Sequence, residues 1–306
     1  MAQIPATSKA RRLMISACAR LFGPDAALRI KDLQKSEIAA LYLNKTGTPP
    51  PPKIPKVMFL IPLVGKHHVS DWDAVQRRLA ATIASFRAQT SPYWSCVVCG
   101  QDEPDQIDFG ERVVFLPFEA AVEGNDKWAK LAALVRNLPT DGMWDGYVMP
   151  FDADDLLHPN AVAEMIGTAA PGGYLISTGY IKDVAADRVG LAGPRTVAMP
   201  LRKPFWKLCG STAAFRYSDT QMEADFLHDV TQHEHRMFPY LAKLAGRGLT
   251  EMNIPAAMYM LNHGENFGVR RGRVGFKPRF VERFQIKDPD ELVRIVDNFP
   301  GAASDR

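Results

Sequence analysis

The sequence predicts an α/β fold: a mostly parallel central sheet flanked by helices, with a helical extension at the N-terminus. Three observations predict it. From Lys56 to Gly167 short apolar runs alternate with segments of helical period, the pattern of parallel βαβ units. The run Thr48-Pro-Pro-Pro-Pro-Lys53 separates this region from what precedes it. Finally, the apolar stretch Tyr147-Val-Met-Pro-Phe151 ends abruptly in Asp152, Asp154 and Asp155.

Taken in order, Ser8 to Phe22 and Lys31 to Leu43 carry helical patterning. The consecutive prolines favour extended polyproline II and mark a semi-rigid linker. Lys56 to Leu63 follows as a strand, then Asp71 to Gln89 as a helix with Val75, Leu79, Ile83 and Phe86 on one face. Trp94 to Gly100 and Arg112 to Phe118 are the next strands, Asp126 to Leu138 a helix, Gly146 to Phe151 the fourth strand and Pro159 to Gly167 a helix. From Tyr174 to Thr178 onward the order is less regular, and antiparallel strands are expected, with a helix from His233 to Gly246. The expected organisation is a helical extension (1–48), a linker (49–55), a main domain (56–275) and a C-terminal tail with a short helix (276–306).

Composition narrows the class. With 306 residues, 46% hydrophobic and 23% charged, the chain can bury a sizeable core. A net charge of +3 gives no argument for nucleic acid. Cys96 and Cys99 form a C-x-x-C within an apolar strand, which favours core packing over redox chemistry, and nothing points to an oxidising compartment. The longest apolar stretch, Val57 to Gly65, is too short to span a bilayer. Leu13 to Ala19, preceded by Arg11 and Arg12, does not have the form of a secretory signal. A packing helix and an amphipathic helix on an anionic membrane surface both suit it. The expected location is the cytoplasm, with peripheral contact at the inner face of a membrane through this helix as the alternative.

The three acids after Phe151 are the main functional signal. Closely packed carboxylates repel, and burying them without a counter-charge is costly. A hard divalent cation with oxygen ligands resolves both problems, and ligands of open α/β sheets sit beyond the carboxyl ends of strands. The competing reading is a turn in which Asp154 or Asp155 caps a helix starting near Pro159. Lys127 and Lys130 begin the preceding helix and are candidates for phosphate contact, against the alternative of a solvated face.

Four segments in this order are similar to those of family 2 glycosyltransferases with the GT-A fold: Val57-Met-Phe-Leu-Ile-Pro-Leu63, Ser85-Phe-Arg-Ala-Gln-Thr-Ser-Pro-Tyr-Trp94, Phe151-Asp-Ala-Asp-Asp-Leu-Leu-His-Pro159 and Phe205-Trp-Lys-Leu-Cys-Gly-Ser-Thr-Ala-Ala-Phe-Arg216. The resemblance covers Lys56 to Phe267. It implies a metal-dependent, inverting transfer of a sugar from a nucleotide-diphosphate donor, a UDP-sugar as the starting assumption, to a glycan or lipid-linked acceptor. It also implies a "DxD" motif in which Asp154 contacts Mn²⁺ or Mg²⁺ and Asp152 serves the donor or a metal-bound water. His263 completes the cation site, and Pro62 and Leu63 lie beside the nucleotide. Where the family has paired aspartates after the second strand, this chain has Gln101 and Asp102, and either can hydrogen-bond a base edge. Where the family has Glu-Asp as the base region, this chain has His233-Glu-His235, leaving Glu234 and Asp229 as alternatives for the base. A zinc pair at His233 and His235 is disfavoured, because residues two apart on a helix point to different sides. The basic stretch Gly268 to Arg279 suits a flap over phosphates or a solvated loop. Two rival classes use the same carboxylates: a metal-dependent nucleotidyltransferase or phosphohydrolase, and a non-catalytic nucleotide-sugar or glycan binder. Glycoside hydrolysis fits less well, because acids sharing one strand end cannot flank a sugar from two sides.

Overall fold

A computed structural model describes residues 3–53, 55–122, 124–140, 143–264 and 275–303. Its architecture is mixed α/β, with a seven-stranded, mostly parallel sheet flanked by helices. The strands in chain order are β1 (Val57–Pro62), β2 (Trp94–Gly100), β3 (Val113–Pro117), β4 (Gly146–Pro150), β5 (Leu156–Leu157), β6 (Gly173–Leu175), β7 (Gly179–Asp183), β8 (Arg188–Ala192), β9 (Ala213–Tyr217), β10 (Thr250–Glu251) and β11 (Ala257–Leu261). The large sheet runs β10-β6-β9-β4-β1-β2-β3, and a second, four-stranded sheet runs β5-β11-β7-β8. In the large sheet β9 alone opposes the other strands, pairing antiparallel with β4 and β6. β1 pairs parallel with β2 on one side, Val57 against Trp94, and with β4 on the other, Val57 against Tyr147. The chain therefore reverses its direction of travel between β1 and β4, and the crevice at their carboxyl ends is where such sheets take ligands.

Alternation along β1 divides the core into two layers. Val57, Phe59 and Ile61 face one hydrophobic cluster, while Leu60 belongs to the other. The first layer is covered by α4 (Trp72–Arg87), capped by Asp71, whose carboxylate accepts from the Ala74 amide at 2.8 Å. Its apolar face is the expected one: Val75, Leu79, Ile83 and Phe86 are buried. Phe86 stacks on Phe59 at 4.1 Å and meets Phe151 edge-on at 5.2 Å, so the helix packs against the strand end that carries the acids. Cys96 and Cys99 are free and buried, and burial pushes both thiols up, Cys99 to about 11, which leaves them as packing groups.

The second layer holds α5 (Lys127–Arg136), α7 (Gln221–Thr231) and α8 (Phe238–Leu244), together with the N-terminal helices α1 (Lys9–Phe22), α2 (Pro24–Ala27) and α3 (Lys35–Asn44). The extension is thus stitched to the main sheet. The α3 helix packs on α7 and α8, and Ile15, Ala40 and Leu41 share the cluster of Leu60 and Phe215. Ile4 bridges to His233 by backbone pairing, and Glu37 accepts from Thr7 at 2.7 Å and from Tyr240 at 3.0 Å. Within the linker, the Lys53 amide donates to Asp145 at 3.0 Å.

Several boundaries differ from the expected ones. The second N-terminal helix starts at Lys35, because Gln34 and Glu37 form a reciprocal capping box there. The helix expected from His233 is preceded by a 3-10 turn, His235–Met237, and Pro239 near the start of α8 suits a helix beginning at Phe238. The α7 helix was not expected at all. The C-terminal segment carries two helices, α9 (Phe276–Arg283) and α10 (Pro289–Asn298), besides α6 (Ala161–Thr168) earlier in the chain. Among the described residues, no helix is long and apolar enough to cross a membrane.

Phe86 joins α4, β1 and the end of β4, so Phe86→Ala is expected to cost about 3–5 kcal/mol in urea unfolding. A loss below 1 kcal/mol would contradict this packing role.

Candidate functional site

The three acids leaving β4 do different things. Asp155 turns inward and is fully buried. Ser211 Oγ donates to it at 2.6 Å, Cys209 Sγ at 3.1 Å and the Met260 amide at 3.3 Å. Burial first, then the charges of Asp154 and Asp152, push its carboxyl well above the usual range. This placement corrects the reading of Asp155 as a helix cap. The following helix starts at Ala161 behind Asn160, and Asp155 is committed to the 209–211 segment and to β11. The turn itself is held by α4, where the Thr82 hydroxyl donates to the carbonyls of Ala153 at 3.0 Å and Asp155 at 2.8 Å.

With Asp155 turned in, Asp152 and Asp154 line a cavity of about 830 Å³ beyond the ends of β1 and β4. Asp152 pairs with Lys127, and its amide donates to Ser211 Oγ at 2.8 Å. Gly210 lies so close that a Cβ there would stand 2.7 Å from Asp152 Oδ2, so only glycine leaves the carboxylate its place. Asp154 Oδ2 meets His263 Nε2 at 2.7 Å, and the Arg78 guanidinium donates to the His263 carbonyl at 2.6 Å. Burial pushes the Asp154 carboxyl up, but His263, Lys127 and Arg78 outweigh it and hold the group below its ordinary value. His263 comes into position because β11 ends at Leu261 and the chain turns through Asn262 and Gly264, both at positive φ.

The cavity is also lined by Glu234, at the N-terminal boundary of the 3-10 turn, with His235 and Arg236 beside it. Among the described residues, no hydrogen bond or ion pair ties the Glu234 carboxylate. Asp229 lies on α7, is held by His228 at 3.1 Å and does not line the cavity. His233 is bound to Ser36 at 2.7 Å, and among the described residues no group of three His, Cys, Asp or Glu gathers as a metal site. Burial, then Lys127, Lys277 and Arg236, hold His235 down at about 3, so it is neutral at pH 7.

Not every expected residue reaches the cavity. Pro62 lines it, but Leu63 is buried, and its carbonyl accepts from Lys130 at 2.5 Å. Lys130 is itself fully buried, paired with Asp126 at 2.8 Å, and burial lowers its pKa. It therefore braces α5 against β1 rather than facing a ligand. Gln101 donates to Asp126 at 2.6 Å, and Asp102 accepts from the Lys66 amide at 2.8 Å; neither lines this cavity. Conversely, Arg78, Lys203 and Tyr259 line it without having been singled out, and Lys207 of the Phe205–Arg216 segment joins them. For Arg78 a signal was present, since it sits beside the buried Val75 and Leu79 of α4. Arg270, Arg271 and Arg273 of the basic stretch lie outside the described residues, while Phe276, Lys277 and Pro278 reach the cavity.

No protein-family model matches the sequence, and no curated protein matches it. Among solved structures the chain is similar to the glycosyltransferase GlyE of Streptococcus pneumoniae, at 13% identity and a TM-score of 0.36, over 75% of this chain and 51% of that one. The apo form of GlyE gives 12% identity and a TM-score of 0.35 over the same shares. The chain thus spans about half the length of these structures. Likenesses this slight carry no assignment, and the functional argument rests on the site.

Thr82→Val removes the donor from two carbonyls of the acidic turn and is expected to cost about 1–3 kcal/mol of unfolding free energy, with Thr82→Ser close to wild type. His235 supplies a second check through pH. Its folded pKa of about 3 lies below its ordinary 6.5, so between these values the unfolded chain binds more protons and stability falls as pH falls. The pH slope of stability in this window should be shallower for His235→Gln than for wild type.

Proposed function

We propose that this protein transfers a sugar from a nucleoside-diphosphate donor to an acceptor hydroxyl, with inversion and with a divalent cation. The observation that carries the reading is the split of the acids after β4. Asp155 is locked in the core while Asp152 and Asp154 face a large cavity that Glu234 also lines. The cavity lies at the carboxyl ends of β1 and β4, where nucleotides bind in sheets of this topology, and its walls carry Arg78, Lys127 and Lys277 for a polyanionic ligand.

The residues suit a cation. Asp154 offers a carboxylate oxygen and His263 an imidazole nitrogen at one point of the wall. Two protein donors leave the remaining positions to phosphate oxygens and water, and the imidazole favours Mn²⁺ over Mg²⁺. When bound, such an ion would stabilise the negative charge that develops on the departing diphosphate. Asp152, fixed by Lys127 and Ser211, orients the donor. Glu234 accepts the proton of the acceptor hydroxyl as its oxygen bonds to the anomeric carbon and the glycosyl–phosphate bond breaks, the electron pair leaving with the diphosphate. Glu234 is preferred to Asp229 because it alone of the two lines the cavity. Surface-glycan or glycolipid synthesis suits such an enzyme, and a peripheral cytoplasmic location is compatible with the exposed basic and apolar residues of α1.

A panel of nucleotide sugars with Mn²⁺, read as nucleoside diphosphate release, tests the reading. Asp154→Ala should abolish release and Glu234→Gln should lower kcat by about 10²–10⁴-fold while donor binding persists. Release that ignores both acceptor and chelator would instead indicate a hydrolase of another kind.

A further inference from the structure

The cations lining the cavity fall into two groups. Arg78, Lys127 and Lys277 stand against acid. Lys127 pairs with Asp152, Arg78 acts on Asp154, and Lys277 feels Asp155, Asp152 and Asp154. Lys203, Lys207 and Arg236 line the same cavity, and among the described residues none of the three is ion-paired. Besides burial, the groups acting on Lys203 are Arg236 and Arg195, and those acting on Lys207 are Arg195, Lys9, Lys203 and Arg236. All of these are cations, and they lower both lysines. Among the described residues, none of these five basic residues forms an ion pair.

The fold holds this second group together. Lys207 lies on the 3-10 turn Phe205–Lys207 and Arg236 on the turn His235–Met237, and the two turns pack against each other. Lys203 sits just before the first turn, with its ammonium 3.7 Å from the centroid of Phe276. Lys207 lies 4.8 Å from the centroid of Trp206. Aromatic faces hold the ammonium groups in place without neutralising them. Keeping like charges together is unfavourable unless an anion lies among them. The group also adjoins the proposed base, since Arg236 follows Glu234 by two residues. On the transfer reading, a donor diphosphate is served by the acid-matched cations Arg78, Lys127 and Lys277.

We propose that Lys203, Lys207 and Arg236 form a phosphate-binding subsite on the acceptor side of the cavity, so that the acceptor is a phosphate- or diphosphate-bearing molecule. This rests on the transfer reading above. A phosphate, with a charge of about −1.5 to −2, answers a cluster of this size better than a single carboxylate, and the Arg236 guanidinium adds paired donors for its oxygens.

The test measures two affinities by calorimetry. Inorganic pyrophosphate is titrated into protein in EDTA, which silences metal-dependent donor binding, and UDP or GDP is titrated with Mn²⁺. In the double variant Lys203→Gln/Lys207→Gln, pyrophosphate affinity should fall by about tenfold or more while nucleotide affinity stays within about threefold, and Lys203→Arg/Lys207→Arg should restore pyrophosphate binding. Equal losses for both ligands would assign the cluster to the donor and overturn the proposal, as would pyrophosphate binding that ignores the substitutions. A wild type that binds no nucleotide but loses pyrophosphate on Lys203→Gln/Lys207→Gln would defeat the transfer reading and leave the phosphate subsite standing. Co-sedimentation with phosphatidic acid vesicles, against phosphatidylcholine alone, distinguishes the sources. Sedimentation lost in the double variant names a lipid-borne phosphate, and pyrophosphate binding without sedimentation names a soluble one.

Discussion

Burial of the Asp155 carboxyl is the constraint on which the site depends. Leaving three acids at one strand end exposed to each other would splay the turn, and burying all three would be prohibitive. The fold buries one and satisfies it with donors from Ser211, Cys209 and the Met260 amide. Those donors belong to the segment before β9 and to β11, so a single side chain ties the large sheet's fourth strand to both sheets' later elements. Part of what aims Asp152 and Asp154 follows from it. Ser211 passes the constraint on by accepting from the Asp152 amide, and β11 passes it on by delivering His263.

A second polar knot works behind the first. Lys130, Asp126, Gln101 and the Leu63 carbonyl form a mostly buried network between α5 and the ends of β1 and β2. It fixes the start of α5 and hence Lys127, which reaches Asp152 from the same helix. Division of labour between neighbouring lysines is therefore structural: Lys130 is consumed by the fold and Lys127 is turned to the cavity. The residues available to a ligand are those left over once the fold's own charges are matched.

The parallel half of the fold was legible because its signals are local. Val75, Leu79, Ile83 and Phe86 repeat at helical spacing, and β2 has the expected bounds because Trp94 to Gly100 is one apolar run. The α7 helix was not legible because its first turn, Gln221 to Ala224, offers little apolar signal and its C-terminal end runs into a histidine-rich stretch. The acids, Glu234 and His263 were legible by residue type and order. Which of them share a cavity was not, since that depends on how β11 crosses beside β5 and β7. Lys130, Gln101 and Asp102 illustrate the converse, being polar residues of the right kind whose partners are supplied by elements distant in sequence. The cations at Lys203, Lys207 and Arg236 come from separate stretches of sequence, and Lys207 and Arg236 converge because two 3-10 turns pack together.

The backbone bridge between Ile4 and His233 and the bond from Ser36 to His233 also set a timetable. Ser36 and His233 are 197 residues apart, and the segment carrying Glu234 is seated only when the first residues of the chain lie against it. At synthesis rates of about 5–20 residues per second, the N-terminal helices leave the ribosome roughly 10–40 s before their partners do. During that interval their apolar faces, Ile15, Ala40 and Leu41, lack the cover of α7 and α8. The extension is made before the helices it docks on, which leaves it open to chaperones in the interval.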